Sequence, residues 1–368
     1  MTVGFDARLL AHDRRPTGVG LYARHLVGAL VRLGVALTLY TDAPPPEVPA
    51  GARLRRVRPW ARLPWQQTAL VAALGRDRPT VYHSPSFTLP AWAPVPLVVT
   101  VHDLSFERYP AYVEPATRDY LRRMVPRALR AAARVITPSA RVAEEIAAHY
   151  GLSPRDRAKL RPVPLGVDTE RWRPGSPEAV AAARAAAGLD RPYLLFVGTR
   201  EPRKNLGRLL EAYRRLRAGR GAEAPDLVLV GSPAPGAEAL EAALAAAPGV
   251  RRLPYTAADT LVRLVEGAVG LVYVSEYEGF GLPVLEALAV GTPVLTARES
   301  PMADLAGAFA HLADPLDVAD IARGLEALVD GRAAWAERAA AARAWAAAWT
   351  WERTARATLA VYEELDRP

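Results

Sequence analysis

Glu278 and Glu286 bracket the segment Gly279-Phe280-Gly281-Leu282-Pro283-Val284-Leu285, and this spacing carries the first chemical signal of the chain. The apolar run Val269 to Val274 before it reads as a buried strand, and Ala287-Leu288-Ala289 after it reads as helix. A strand-to-helix junction leaves helix N-terminal N–H groups without intrahelical partners and aims them out of the end of a sheet, where a phosphate is a natural guest. Pro283 has no N–H, so Gly279, Gly281, Leu282 and Val284 are the expected donors. Glu286 falls in the first helical turn, within reach of a sugar hydroxyl, and Glu278 stays on the loop on the near side of the same ligand. Carboxylates on both flanks of an anion-binding backbone suit a nucleotide sugar. Carboxylates near a helix start also complement the macrodipole and glycines also serve turns, so the reading needs the rest of the chain.

A second cluster, Gly198-Thr199-Arg200-Glu201-Pro202-Arg203-Lys204-Asn205, follows another apolar run and precedes a helical one. Cations at the carboxyl edge of a sheet neutralise a diphosphate and stabilise the charge that grows on it as a glycosidic bond breaks. As an isolated cluster it reads equally as a solvated helix start. In the first half, Pro16-Thr17-Gly18-Val19-Gly20 joins the first strand to the first helix, and its glycines allow close backbone approach to a ligand. Thr100-Val101-His102-Asp103 ends a further strand, with Asp103 suited to capping or orienting the loop, and His83-Ser84 sits at another strand end; His83, Ser84 and Asp103 are the candidate lining for an acceptor site.

The elements that must position these residues alternate. Val3–Phe5, Val35–Tyr40, Leu97–His102 and Val135–Pro138 read as strands, with Gly20–Leu33 as helix. After the proline-rich stretch Arg161 to Asp168 the alternation restarts, with strands at Tyr193–Gly198, Leu227–Gly231 and Val269–Val274 and helices at Leu206–Ala218, Ala237–Ala247 and Ala257–Gly267. Two alanine- and tryptophan-bearing helices, Ala333–Ala348 and Trp351–Leu365, close the chain. The pattern predicts an α/β protein of two doubly wound parallel-sheet domains, residues 1–168 and 169–349, with ligands beyond the strands' carboxyl ends in the cleft they face.

Composition narrows the class. The 368 residues include 51% hydrophobic and 23% charged, enough apolar surface for two cores. There is no cysteine, which excludes disulfides and thiolate metal sites and fits a reducing cytoplasm. No signal-peptide layout opens the sequence, and no run of about 18 uncharged apolar residues suggests a membrane span. Residues 1–170 hold 24 basic and 14 acidic side chains, residues 171–368 hold 23 and 25, so the net charge of +8 comes from the first half. That half is expected to face something anionic. The stretch Ala116–Arg134, with Arg118, Arg122, Arg123, Arg127, Arg130 and Arg134 among apolar residues, suits a membrane surface or a solvated helix face, and Pro126 argues against one straight helix.

Together these motifs resemble glycosyltransferase family 4, the retaining enzymes of GT-B fold. The resemblance takes in the glycine loop, the His102-Asp103 loop, the Val163–Asp168 linker, the basic loop, the Glu-Gly-Phe-Gly-Leu-Pro block and the terminal Trp351-Glu352 helix, in the family's order. It implies a nucleotide-sugar donor in the second half, an acceptor in the first, no resident metal or cofactor, and a last helix (about 350–368) that crosses back to the first domain. Lys204 matches the family's diphosphate lysine. The family's arginine after the glycine is Thr199 here, so both Arg200 and Arg203 are offered as the second cation. By the same resemblance His102 touches the transferred sugar, Gly18, Val19 and Gly20 approach the donor, Glu278 holds the sugar and Glu286 the ribose. His-Asp-Leu-Ser-Phe and Thr-x-Glu-Pro-Arg-Lys-Asn look most like mannosyltransferases of surface-polysaccharide assembly, which makes GDP-mannose the first expected donor, UDP-sugars the next, and a GT-B epimerase the nearest alternative. The expected acceptor is a glycan or lipid-linked saccharide. A Rossmann oxidoreductase lacks its Gly-x-Gly-x-x-Gly fingerprint here, and no basic–aromatic platform favours nucleic acid.

Overall fold

A computed structural model describes residues 1–13, 18–60 and 64–366, and the chain divides into two α/β units, Met1–Gly166 with Thr350–Pro368, and Val167–Trp349. Among the described residues the first unit is built on β1 (Thr2–Asp6), β2 (Ala36–Thr41), β3 (Arg53–Arg56), β4 (Val81–Ser84), β5 (Leu97–Thr100), β6 (Arg134–Thr137) and β7 (Leu160–Pro162). They form one parallel sheet in the order β3-β2-β1-β4-β5-β6-β7. The central strands are apolar because helices cover both faces, and Leu97-Val98-Val99-Thr100 is buried throughout. The strand order reverses between β1 and β4, where an open α/β sheet offers a crevice at its carboxyl edge.

Around it lie α1 (Arg8–His12), α2 (Gly18–Arg32) and α3 (Pro115–Ala131). Helix α2 buries Tyr22, Leu26 and Leu30, spaced one helical turn apart. Its described residues start at Gly18, so Gly18, Val19 and Gly20 are helical, while Pro16 and Thr17 of that motif lie outside the described residues. Helix α3 runs through Pro126 unbroken, and Arg134 belongs to β6. Glu114 caps α3 by accepting from the N–H groups of Ala116 (3.0 Å) and Thr117 (2.7 Å). The terminal helix, Trp351–Asp366, is part of this unit. Trp351 stacks on His25 with ring centroids 4.9 Å apart, and Glu364 accepts from Arg134 (2.6 Å) and Arg161 (2.7 Å).

The second unit repeats the scheme with β8 (Tyr193–Val197), β9 (Asp226–Val230), β10 (Val250–Leu253), β11 (Gly270–Tyr273), β12 (Val294–Ala297) and β13 (Ala310–Ala313), ordered β10-β9-β8-β11-β12-β13 and parallel. Helix α4 (Leu206–Arg220) follows β8, and α5 (Leu282–Val290) follows β11. Each unit is the doubly wound α/β sheet that the alternation predicts. No described helix is long and apolar enough to cross a membrane.

Candidate functional site

At the carboxyl edge of the second sheet, β8 and β11 deliver their loops side by side. Gly198 ends β8 with φ 149°, and its N–H donates to Val230 O (2.9 Å). The chain then makes one 3₁₀ turn, Pro202–Lys204, and Asn205 adopts the left-handed conformation at φ 62°. Asn205 locks that turn to the neighbouring strand, its Nδ2 donating to Val274 O (3.1 Å) and Pro315 O (2.6 Å). The buried Lys204 ammonium is thereby delivered to Glu278 and to the Tyr273 hydroxyl, the latter at 2.8 Å. Tyr273 passes a hydrogen bond on to Glu278 (2.9 Å). Arg203 reaches the other oxygen of Glu278 (3.0 Å), and its Nε donates to Glu201 (2.6 Å). Burial works against the charge on Glu278, but Lys204 and Arg203 outweigh it and hold the carboxyl at about 2.

Arg203 is therefore the second cation of the cluster. Arg200 is not brought there. Its buried guanidinium is paired with Glu241 (2.5 Å) and donates to the Gly231 carbonyl, so it does not join the Lys204–Glu278 cluster in which it was expected. Tyr273 is a member that sequence reasoning missed, because a tyrosine closing an apolar strand reads as core.

The second loop turns on Gly281. Its φ of 107° favours glycine, and a Cβ there would lie 2.5 Å from Met302 Cγ. Pro283 occupies the first turn of α5 as expected. Val284 does not offer its N–H outward, since it donates back to Gly281 O (3.0 Å); the N–H of Leu282 has no acceptor among the described residues. Phe280 is buried against Trp349 and anchors the loop. Gly279 and Thr199 stand on the two loops between these fixed points. Glu286 is half-buried with no hydrogen-bonding partner among the described residues, and burial pushes its carboxyl up to about 8. Two carboxylates on one sheet edge thus have opposite environments: Glu278 is neutralised by cations, and Glu286 is unpartnered.

In the first unit, His102 lies just past β5 on the carboxyl edge, beside the start of α2. Its Nε2 donates to Pro85 O (2.8 Å), so in the neutral ring Nδ1 keeps a free lone pair. The Tyr22 ring stands edge-on at 4.8 Å and Phe87 at 5.7 Å. Burial lowers the His102 pKa, against the opposing pull of the Pro85 carbonyl and Asp103. Asp103 accepts from Ser105 N–H (2.9 Å) and so orients the loop.

His83 and Ser84 do not line a site. Both are buried inside β4, and His83 bridges Thr100 (2.8 Å) and the Tyr362 hydroxyl (2.6 Å), with burial pushing it down to about 3. The acceptor reading of these two residues is corrected: Ser84 is buried in the strand, and His83 fastens the terminal helix to the sheet.

Known proteins resemble this chain over both units. The profile of Glycosyltransferase Family 4 matches residues 16–171, and that of Glycosyl transferases group 1 matches residues 181–345. A D-inositol 3-phosphate glycosyltransferase of Geodermatophilus obscurus is 30% identical, over 94% of this chain and 84% of that protein. The O-antigen chain mannosyltransferase B of Escherichia coli is 31% identical, over 77% and 74%. Among solved structures, HepE from Anabaena in complex with UDP and glucose superposes with a TM-score of 0.75 at 18% identity, covering 99% of this chain and 100% of that one.

Proposed function

Because this chain belongs to glycosyltransferase family 4 and has its two-domain α/β GT-B fold, we propose that it transfers a hexosyl group, mannose from GDP-mannose in the first instance, to a glycan or lipid-linked acceptor in surface-polysaccharide assembly. Glu286 carries this reading. A half-buried carboxyl that lacks any partner among the described residues and is pushed towards neutrality invites hydroxyl donors, and a ribose diol beside the helix start supplies two. Lys204, Arg203 and the Leu282 N–H are then assigned to the diphosphate joined to that ribose, which they stabilise as it departs. We assign Glu278, already ionised, to accept from the transferred sugar, and in the first unit His102 Nδ1 to accept from a hydroxyl. No side chain of the second-unit cluster is a free base. The departing phosphate itself is assigned the acceptor's proton, on the face it leaves, which gives retention without a resident metal.

The mannose choice is supported by the likeness to the Escherichia coli mannosyltransferase. The rival UDP-sugar reading has support in the HepE complex. Isothermal titration with GDP, UDP, GDP-mannose and UDP-glucose separates them: GDP and GDP-mannose are expected to bind at micromolar concentration and UDP more weakly. The reverse order transfers the assignment to a UDP-sugar, and failure of all four to bind overturns the nucleotide-sugar reading.

A lipid-linked acceptor places the enzyme at a membrane surface, and helix α3 suits that position. Arg123, Arg127 and Arg130 are exposed with no carboxylate partner among the described residues, near the half-exposed Tyr120. Basic residues near an anionic bilayer contribute about 1 kcal/mol each. Co-sedimentation with phosphatidylglycerol vesicles is expected to fall on the order of 100-fold in Arg123→Glu/Arg127→Glu/Arg130→Glu, and equal binding by this variant would exclude α3 as the contact.

A further inference from the structure

The first unit contains one more arranged cation, and none of the motifs above includes it. Arg8, at the start of α1, sits at the carboxyl end of β1 beside the point where the strand order reverses. The buried Asp6 grips one edge of its guanidinium, accepting from Nε (3.0 Å) and Nη2 (2.7 Å). The guanidinium carbon lies 4.5 Å from the centroid of Trp65, whose own ring is fixed by a hydrogen bond from Nε1 to Val57 O (2.8 Å). The phenols of Tyr82 and Tyr120 are within electrostatic reach of Arg8, and Tyr120 is half exposed.

This arrangement is specific about direction. Side-on pairing with Asp6 uses Nε and one N–H of Nη2. The remaining end-on edge, Nη1 with the second N–H of Nη2, presents two parallel donors and has no acceptor among the described residues. The Arg8 side chain keeps 32% of its surface exposed. A planar fork held by a carboxylate behind and an indole on one face is pre-organised for bidentate capture of a phosphate or carboxylate. The half-exposed Tyr120 adds an apolar face on which a sugar ring can rest. The excess of basic residues in this half of the chain draws the same class of ligand.

We propose that the outward edge of Arg8 anchors the anionic group, phosphate or carboxylate, of a charged sugar acceptor. The proposal rests on the reading of the chain as a glycosyltransferase whose first unit takes the acceptor, and it deepens that reading by naming the acceptor's chemical class. Mannose 6-phosphate, glucuronate and methyl mannoside serve as probes, titrated by saturation-transfer NMR against the full chain with GDP present. At least one of the two anionic sugars is expected to bind tenfold or more tightly than the neutral one, and the one that does identifies the anion. Arg8→Gln is expected to remove that advantage while GDP affinity stays as in wild type, so that failure here is distinguishable from failure of the donor reading. Since Arg8→Gln leaves Asp6 buried and unpaired, Asp6→Asn/Arg8→Gln provides a second, uncharged version of the site with the same expected loss. Equal binding of all three sugars to wild type, or an anionic preference that survives in both variants, overturns the proposal.

Discussion

Lys204→Ala is expected to abolish detectable GDP binding and to lower transfer by roughly 100- to 1000-fold, the scale on which one pre-organised cation or donor acts at a developing negative charge. The same substitution also strips Glu278 of a buried partner. Arg203 and Tyr273 remain on that carboxylate, so destabilisation of about 1–3 kcal/mol is expected, at or below the cost of breaking an isolated buried pair. A loss of binding through partial unfolding and a loss through the missing ammonium are separated by the double variant Lys204→Ala/Glu278→Gln. Removing both charges returns most of the melting temperature, because no buried charge is left without a partner. It does not return the diphosphate contact. The measurements are thermal melts in parallel with GDP titration of the wild type, the single variant and the double variant. A double variant that melts like wild type and also binds GDP like wild type would falsify the placement of the diphosphate at Lys204.

The parts of this arrangement that were legible in the sequence, and those that were not, follow from how each residue is held. Central strands of a parallel sheet are buried on both faces, so Val3–Phe5 within β1, Leu227–Val230 within β9, and β5, β8 and β11 stand out as mostly apolar runs. Edge strands face solvent along one side. Strand β3 is Arg53-Leu54-Arg55-Arg56 and β10 is Val250-Arg251-Arg252-Leu253, and such rows read as surface loops although charge on an edge strand guards against unwanted pairing. Strand β7 hides in a proline-rich stretch that reads as linker. The spacing of Glu278, Gly281 and Glu286 is local, fixed by one turn of chain, and so the outline of the loop was legible.

The choice between Arg200 and Arg203 is not local. It depends on Asn205 entering the left-handed region and pinning the 3₁₀ turn to β11, which rotates Arg203 and Lys204 onto one side and leaves Arg200 on the other with Glu241. The two histidines make the same point. His83 and His102 both follow apolar residues, yet His83 stands inside β4 in register with Phe5, while β5 ends at Thr100 and frees His102. Two residues of strand length separate a core histidine from one at the sheet edge.

Glu286→Gln is expected to raise the melting temperature at pH 8 and to leave it unchanged at pH 4. In the folded chain the carboxyl titrates at about 8, against an ordinary value of 4.5. Below 4.5 the group is protonated in both states and its contribution to stability is intact. As pH rises from there towards 8, the unfolded chain ionises while the folded chain does not, so wild type loses stability through that window and no more above it. A glutamine cannot ionise, and the melting curves of the two proteins should separate progressively across the same window. Nucleotide reverses the preference. Ribose hydroxyls donate to the carboxylate form, so GDP binding near pH 7 is expected to release a proton, visible as a binding enthalpy that changes with the ionisation enthalpy of the buffer. Glu286→Gln removes that buffer dependence, and Glu286→Ala lowers affinity on the order of 10- to 100-fold through lost charge-assisted hydrogen bonds. The 2′-deoxy analogue of GDP should bind wild type more weakly than GDP but bind Glu286→Ala no differently from GDP. If the analogue loses the same factor against both proteins, the ribose does not lie on Glu286 and the nucleotide is oriented otherwise on this sheet edge.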